Sequence, residues 1–383
     1  MANIPYTIIN DLYRILIDLG AIGPAGETIH AELGAGMFVD ENNAAYGVKH
    51  VGNKPRVSSM PYTYDIAEGN VSGHEAVRML GYNGALQNGV YEDLSPLSAT
   101  AITLPTTAAQ VYVDSSSGND DGSPVLYSST ATGGTATTLV DTAQTFVSDG
   151  TIAAGDAILL DLSPDGAIGI ITAVTNETTL TVAGGFQADT VPASGDAYRI
   201  VDKSLATGAL AVEVHGLDAS YDEQSEFVVL NGTTAVQTVG SYIRINSFHV
   251  VFTGSGGAPA GNLFVQDDAA GANKYSQIAI GDITSLQALY TVPADKTAYI
   301  ISWTPSATGT KPVLLELAAT VAVTHRTILP LFVEQDVVIV ESGAIAKHFD
   351  LPLLCPAKSD IKVRGYGIGG VAEAAVSVEF WIE

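Results

Sequence analysis

The chain has 383 residues, 46% of them hydrophobic and only 15% charged, which is enough apolar material for the cores of two or three domains. That balance excludes a chain disordered throughout. The charge is lopsided, 16 Lys+Arg against 41 Asp+Glu for a net of −25, so nucleic acid and anionic membranes are not expected partners.

Residues 4–19, IPYTIINDLYRILIDL, place Ile8, Ile9, Leu12, Ile15, Leu16 and Leu19 at helical spacing, and Gly20 supplies a stop. The spacing predicts an amphipathic helix. Tyr6, Ile9, Leu12, Tyr13 and Leu16 are its candidate contacts with a partner protein, and packing on the chain's own β domain is the competing use. Residues 20–70 show little periodicity and read as extended or looped chain. A second short helix is expected at SGHEAVRML, where Ser72 and Glu75 have capping-box spacing. Residues 1–105 are therefore read as an N-terminal anchoring segment with short helices. The first residues, MANIPYTIIND, have neither a basic n-region nor a long apolar run. No secretory signal or membrane span is expected, and synthesis in a reducing cytosol is.

Strand patterning begins at AQVYVDSSSGNDDG. The segment 124–203 follows, with TTLVD, DAILLDL, AIGIITAVT, TTLTVAG and AYRIVD as short apolar or alternating runs and SPDG as a turn. It reads as a small antiparallel barrel of five or six strands. No Lys or Arg occurs from Met79 to Tyr198, so an arginine-rich phosphate site has no place there. Residues 106–123 and 204–383 hold strand after strand, from ALAVEVHGL to AVSVEFWIE, separated by turn signals. Trp303 and Trp381 lie in apolar runs and are expected in the core. The expected fold is mainly β: a helical and irregular N-terminal segment, and a small antiparallel β-barrel inserted into a jelly-roll-like β-sandwich.

Chemistry is sparse. There is no P-loop, no dinucleotide fingerprint and no G-x-S-x-G elbow. The seven histidines, at 30, 50, 74, 215, 249, 325 and 348, never fall two, three or four residues apart, so no zinc motif is visible. Cys355 is alone, which excludes an intrachain disulfide, and PLLCPAK reads as the setting of a small buried apolar residue. The acids of GLDASYDEQSEF draw the eye, because Asp218, Ser220 and Asp222 resemble the start of a calcium loop. Glu223 stands where such a loop needs Gly and Val229 where it needs a bidentate acid, so a β-hairpin with solvated acids is the preferred reading. No cofactor and no enzymatic activity are expected.

Several segments carry a resemblance: VYVDSSSGND (111–120), GLDASYDEQSEFVVLNGTTAV (216–236), SYIRIN (241–246), LQALYTVPADKTAYIISW (286–303) and LPLLCPAKSDIKVRGYGIGGVAEAAVSVEFWIE (351–383). Together they resemble a family of tailed-bacteriophage virion proteins, over about half of the chain. Members of that family are structural parts of the head or of the tail fibre, with no catalytic residues to carry over. In shorter members the SSSGND strand runs almost directly into the V-x-V-x-GLD strand, so 124–203 looks like an insertion. The resemblance implies a capsid-surface decoration or head-fibre subunit, homotrimeric and made in the host cytoplasm. Its partners would be the major capsid protein or other virion proteins. Residues 1–105 lie outside the resemblance, and their expected role as the attachment to such a partner rests on their own residue pattern alone. The alternative it leaves open is a tail-fibre protein that recognises host-surface carbohydrate.

Overall fold

The computed structural model describes residues 48–51, 54–57, 66, 71, 73–97, 102–123, 125–161, 166–187, 190–320 and 332–383. The expected helix over 4–19 and its residues Tyr6, Ile9, Leu12, Tyr13 and Leu16 lie outside them. The chain divides into two compact units, Met1–Ala76 with Glu383, and Val77–Ile382. In the first unit β1 (Val48–Val51) and β2 (Lys54–Val57) pair as an antiparallel hairpin.

The strands continue with β3 (Glu75–Leu86), β4 (Glu92–Asp93) and β5 (Ala109–Ser115). Next come β6 (Tyr127–Thr130), β7 (Gly133–Thr135), β8 (Thr138–Val140), the single-turn helix α1 (Phe146–Asp149) and β9 (Ala157–Asp161). They are followed by β10 (Ala167–Asn176), β11 (Thr179–Val182), β12 (Ala197–Val201) and β13 (Ala209–Leu217). Then come β14 (Glu223–Val229), β15 (Val236–Tyr242), β16 (Arg244–Thr253), β17 (Leu263–Gln266) and β18 (Lys274–Ile278). The last are β19 (Leu289–Thr291), β20 (Ala298–Ala307), β21 (Val313–Thr320), β22 (Phe332–Val340), β23 (Gly343–Ala344), β24 (Lys347–Cys355), β25 (Asp360–Gly367) and β26 (Ala372–Ile382). Among the described residues the protein is nearly all β, and the long pairings β10–β11, β13–β16, β20–β26 and β21–β25 are antiparallel.

Three modules make up the second unit. The segment from β6 to β12 forms a seven-stranded sheet in the order β6-β12-β9-β10-β11-β8-β7. Its two end strands, β6 and β7, are consecutive pieces of one run. Between them the Ala131 N–H donates to Asp196 and the Thr132 N–H to Val140, so the sheet's two ends meet along a single segment. Strand β9 is buried on both faces. Ile158 and Leu160 face the module's own core with Phe146, Leu180 and Tyr198, while Ala157 and Leu159 pack against Ala211, Phe227 and Phe252 of the next module. That double burial explains the unbroken apolar run DAILLDL.

The second module packs a three-stranded sheet, β14-β13-β16, on a four-stranded one, β15-β5-β17-β18. Val111, Val113, Val212, Val214, Phe248 and Leu263 fill the space between them. The third module packs β19-β25-β21-β22, with β4 beside β25, on β23-β20-β26-β3, with β24 beside β20. Its core holds Trp303, Leu315, Val363, Val378 and Phe380. Strand β26 has strict period-two burial, with Ala372, Ala374, Val376, Val378, Phe380 and Ile382 inward. Each large side chain sealed in this way contributes about 1.5–3 kcal/mol.

Four expectations need correction. The described residues of SGHEAVRML, 73–80, form no helix. Glu75–Leu86 is strand β3, and the alternation that buries Met79, Gly81 and Asn83 decides it over the capping-box spacing. Residues 77–97 consequently belong to the third module, through β3 beside β26 and β4 against β25, rather than to an N-terminal anchor. Residues 106–123 and 204–383 build two cores, not one sandwich, because β5 turns back only as far as β15 and β17. Trp303 is fully buried, but Trp381 is out of phase with the inward residues of β26 and lies half-buried on the opposite face, stacked on Tyr299.

Arg244 of β16 joins the second and third modules. Its Nε and Nη2 donate to the two oxygens of Asp360 at 2.8 and 3.1 Å, and Nη1 donates to the Pro105 carbonyl. Thr291 Oγ1 also donates to Asp360, at 2.6 Å.

Candidate functional site

On β13, Val212 and Val214 point into the second module's core, so Glu213 and His215 fall on the other face of the sheet. Glu213 sits directly opposite His249 of β16 in the strand register. Alternation and pairing together gather one carboxylate and two imidazoles. His215 Nε2 lies 3.1 Å from Glu213 Oε1, and His249 Nε2 lies 3.0 Å from Oε2. The two imidazoles are stacked, with centroids 5.1 Å apart and planes 17° from parallel.

Burial is divided unevenly in this cluster. The Glu213 side chain is 4% exposed, whereas those of His215 and His249 are 38% and 32% exposed. Burial by itself pushes the Glu213 carboxyl up, but the contacts and charge of the two imidazoles outweigh it and hold the group down at about 2. Glu213 is therefore a buried carboxylate anion with a partly open imidazole pair in front of it. Oε2 receives no well-directed hydrogen bond, despite its short approach to His249. The buried Ser225 Oγ, on the residue paired with His215, is also without a partner. Among the described residues this is where histidine and carboxylate ligand atoms converge, all within 4.8 Å of one another.

Sequence reasoning passes over this cluster because Glu213 and His215 are separated from His249 by a strand register that no spacing reveals. The only local signal is the Glu-x-His of VEVHG, which puts both side chains on one face of any strand.

Asp218, Ser220 and Asp222 do come together, as a turn. Asp218 Oδ1 accepts the Ser220 and Asp222 N–H groups at 2.7 and 3.0 Å, and the Asp218 N–H donates to the Asp222 carbonyl. Tyr221 takes a positive φ of 71° at the tip. The flanking strands pair as a hairpin, β13 in and β14 out, and both faces of β14 are covered: Phe227 and Val229 by the first module, Val228 and Leu230 by the second module's core.

The SSSGND stretch has a similar job. Asp120 is fully buried, and its two oxygens accept from Ala209 N, Ala260 N, Ser115 Oγ and Gly261 N at 2.6 to 2.9 Å. It fastens the start of β13 and the loop before β17 to the end of β5. Cys355 is buried, and burial alone pushes its thiol up to about 11, so it behaves as an apolar core residue.

Two surfaces stand out. A cleft of about 460 Å³ between the first and second modules is lined by Asp161, Arg199, Glu226, Phe227, Val239 and Tyr242. Its charges are committed: Arg199 pairs with Asp161, and Glu226 accepts the Val239 and Gly240 N–H groups. The other surface is an edge of the third module, where β22 and β24 end their sheets on the same side. Asp336 of β22 accepts from Trp303 Nε1 and from Lys347 Nζ of β24. Val337 and Ile339 of β22 and Leu351 and Leu354 of β24 are exposed there. Ile300 pairs with Leu353 and Ser302 with His348, so residues 349–352 bulge out of the ladder and Leu351 projects, 83% exposed.

No helix among the described residues is long and apolar enough to cross a membrane. No known protein family and no curated protein matches the sequence. A solved structure similar to it is VP17, a capsid protein of bacteriophage P23-77, at 9% identity over 82% of this chain and 98% of that one. The TM-score is 0.10, and a likeness at that level carries no argument about fold or function.

Proposed function

We propose that this chain is a structural subunit of a tailed-bacteriophage virion, a decoration or head-fibre protein on the capsid surface, homotrimeric and without enzymatic activity. The observation that carries the assembly is the edge formed by β22 and β24. Among the described residues β22 and β24 each pair on one side only, and they carry a row of exposed aliphatic side chains, including a leucine on a projecting bulge. An edge of that kind invites association unless something covers it, and neighbouring copies in a particle would cover it. The resemblance of 111–120, 216–236, 286–303 and 351–383 to virion proteins supports the same reading. So do the jobs those stretches perform, which are a turn, a loop fastener and core strands rather than a catalytic constellation.

Attachment is assigned to the N-terminal region, with Tyr6, Ile9, Leu12, Tyr13 and Leu16 as contacts to the major capsid protein or another virion protein. Deleting residues 1–20 is expected to abolish incorporation into particles and to leave the β modules folded. Normal decoration by the truncated protein would refute the anchor.

A second reading has one observation in its favour. Tyr299 and Trp381 stack at 5.5 Å on the outer face of β20 and β26, and a flat aromatic surface of that kind suits a sugar ring. This favours a tail-fibre protein binding host-surface carbohydrate. Trp381→Ala abolishing a clean signal on a glycan array would establish it, and an array blank with intact protein would remove it.

A further inference from the structure

We propose that Glu213, His215 and His249 form a binding site for one divalent transition-metal ion of the zinc type, set into the outward face of the second module. The donor set suits such an ion. Two imidazoles and one carboxylate match zinc, cobalt or nickel, whereas calcium and magnesium need a cage of oxygens. The spacing suits it as well. An ion held at about 2.0–2.1 Å from each ligand spans donor atoms roughly 3.0–3.4 Å apart. The carboxylate oxygens already stand 3.1 and 3.0 Å from the two Nε2 atoms.

One oxygen of the carboxylate also lacks a directed donor. Glu213 is deeply buried, and its Oε2 lies 3.0 Å from His249 Nε2 without a directed hydrogen bond. The two imidazoles already favour the charged carboxylate, and a metal cation held between all three groups would satisfy the open oxygen as well. The imidazoles are about one-third exposed, so an ion can reach the site from solvent and keep coordination positions open there. All three ligands sit on strands, His249 in direct register with Glu213, which holds them more rigidly than loops would. Ser225 Oγ, buried and unpartnered beside His215, is a further oxygen within the same neighbourhood. The ion would pin β13 to β16 across the sheet.

The test uses the full chain, stripped with EDTA and exchanged into metal-free buffer. Titration with zinc chloride is expected to show a site that His215→Gln and His249→Gln each weaken by at least ~10-fold. His348→Gln, a histidine on β24, should leave it unchanged. A second measurement needs no variant: zinc should protect both His215 and His249 from carbethoxylation, mapped by peptide mass spectrometry. Failure of the wild-type chain to take up zinc, folded variants that bind as tightly as wild type, or equal modification of both histidines with and without zinc would each overturn the proposal.

Discussion

Replacing Asp120 tests whether the SSSGND stretch is structural. In Asp120→Ala, four donors lose their acceptor: the N–H groups of Ala209, Ala260 and Gly261 and the hydroxyl of Ser115. A buried donor left unsatisfied costs about 1–3 kcal/mol. The hydroxyl can rotate and a water can enter the space, so the sum should fall near 3–5 kcal/mol. Asp120→Asn keeps one oxygen for two of the N–H groups and turns an NH₂ toward the others, so it should cost roughly half as much. Hydrogen exchange is the right assay, because a three-module chain does not unfold in one step. Exchange at Ala209, Ala260 and Gly261 should accelerate by roughly two to three orders of magnitude in Asp120→Ala, with the core of β26 unaffected. Unchanged exchange at those amides, or an Asn variant as damaged as the Ala variant, would refute the reasoning.

Other expectations follow from the same structure. Arg244→Met strands the Asp360 carboxylate and should destabilise the junction of the second and third modules by about 3–5 kcal/mol. Adding Asp360→Asn should recover part of that, which a double-mutant cycle in urea measures. Asp141 is buried, which alone would raise its pKa, but the Ala143 N–H and the Ser129 and Tyr198 hydroxyls hold it below the usual 3.8. Its contribution is therefore full above about pH 3.8 and lost as pH falls through the depressed value. The stability gap between wild type and Asp141→Asn should be flat above that pH and narrow below it. Gly166→Ala should loosen the first module on the second, because an added Cβ would lie 2.5 Å from the Phe227 ring, and proteolysis between the modules would report it. If the β22–β24 edge joins copies as proposed, wild type should scatter light as an oligomer and Leu351→Lys with Ile339→Lys as a monomer, with unchanged circular dichroism spectra.

What the sequence made legible follows the range of each signal. Strand character was plain in β9, β13 and β26, where the apolar runs or alternation are strong, and the hairpin at Asp218 was readable from its turn residues. The strand at Glu75–Leu86 is masked in the sequence because Ser72 and Glu75 imitate a helix start while Gly81, Asn83 and Gly84 dilute the alternation. The split into two cores could not be read, since it depends on which strand pairs with β5 and β26. The Glu213 cluster was hidden for the same reason: His249 is 36 positions from Glu213 in the chain and adjacent to it only through the β13–β16 register.

The most direct test of the proposed virion role is quantitative mass spectrometry of density-purified phage particles from cells that produce this chain, read beside electron microscopy with an antibody to the third module. The account predicts the protein in multiple copies per virion, with label over the capsid surface. Its absence from purified virions, or label confined to the tail tip, would contradict it.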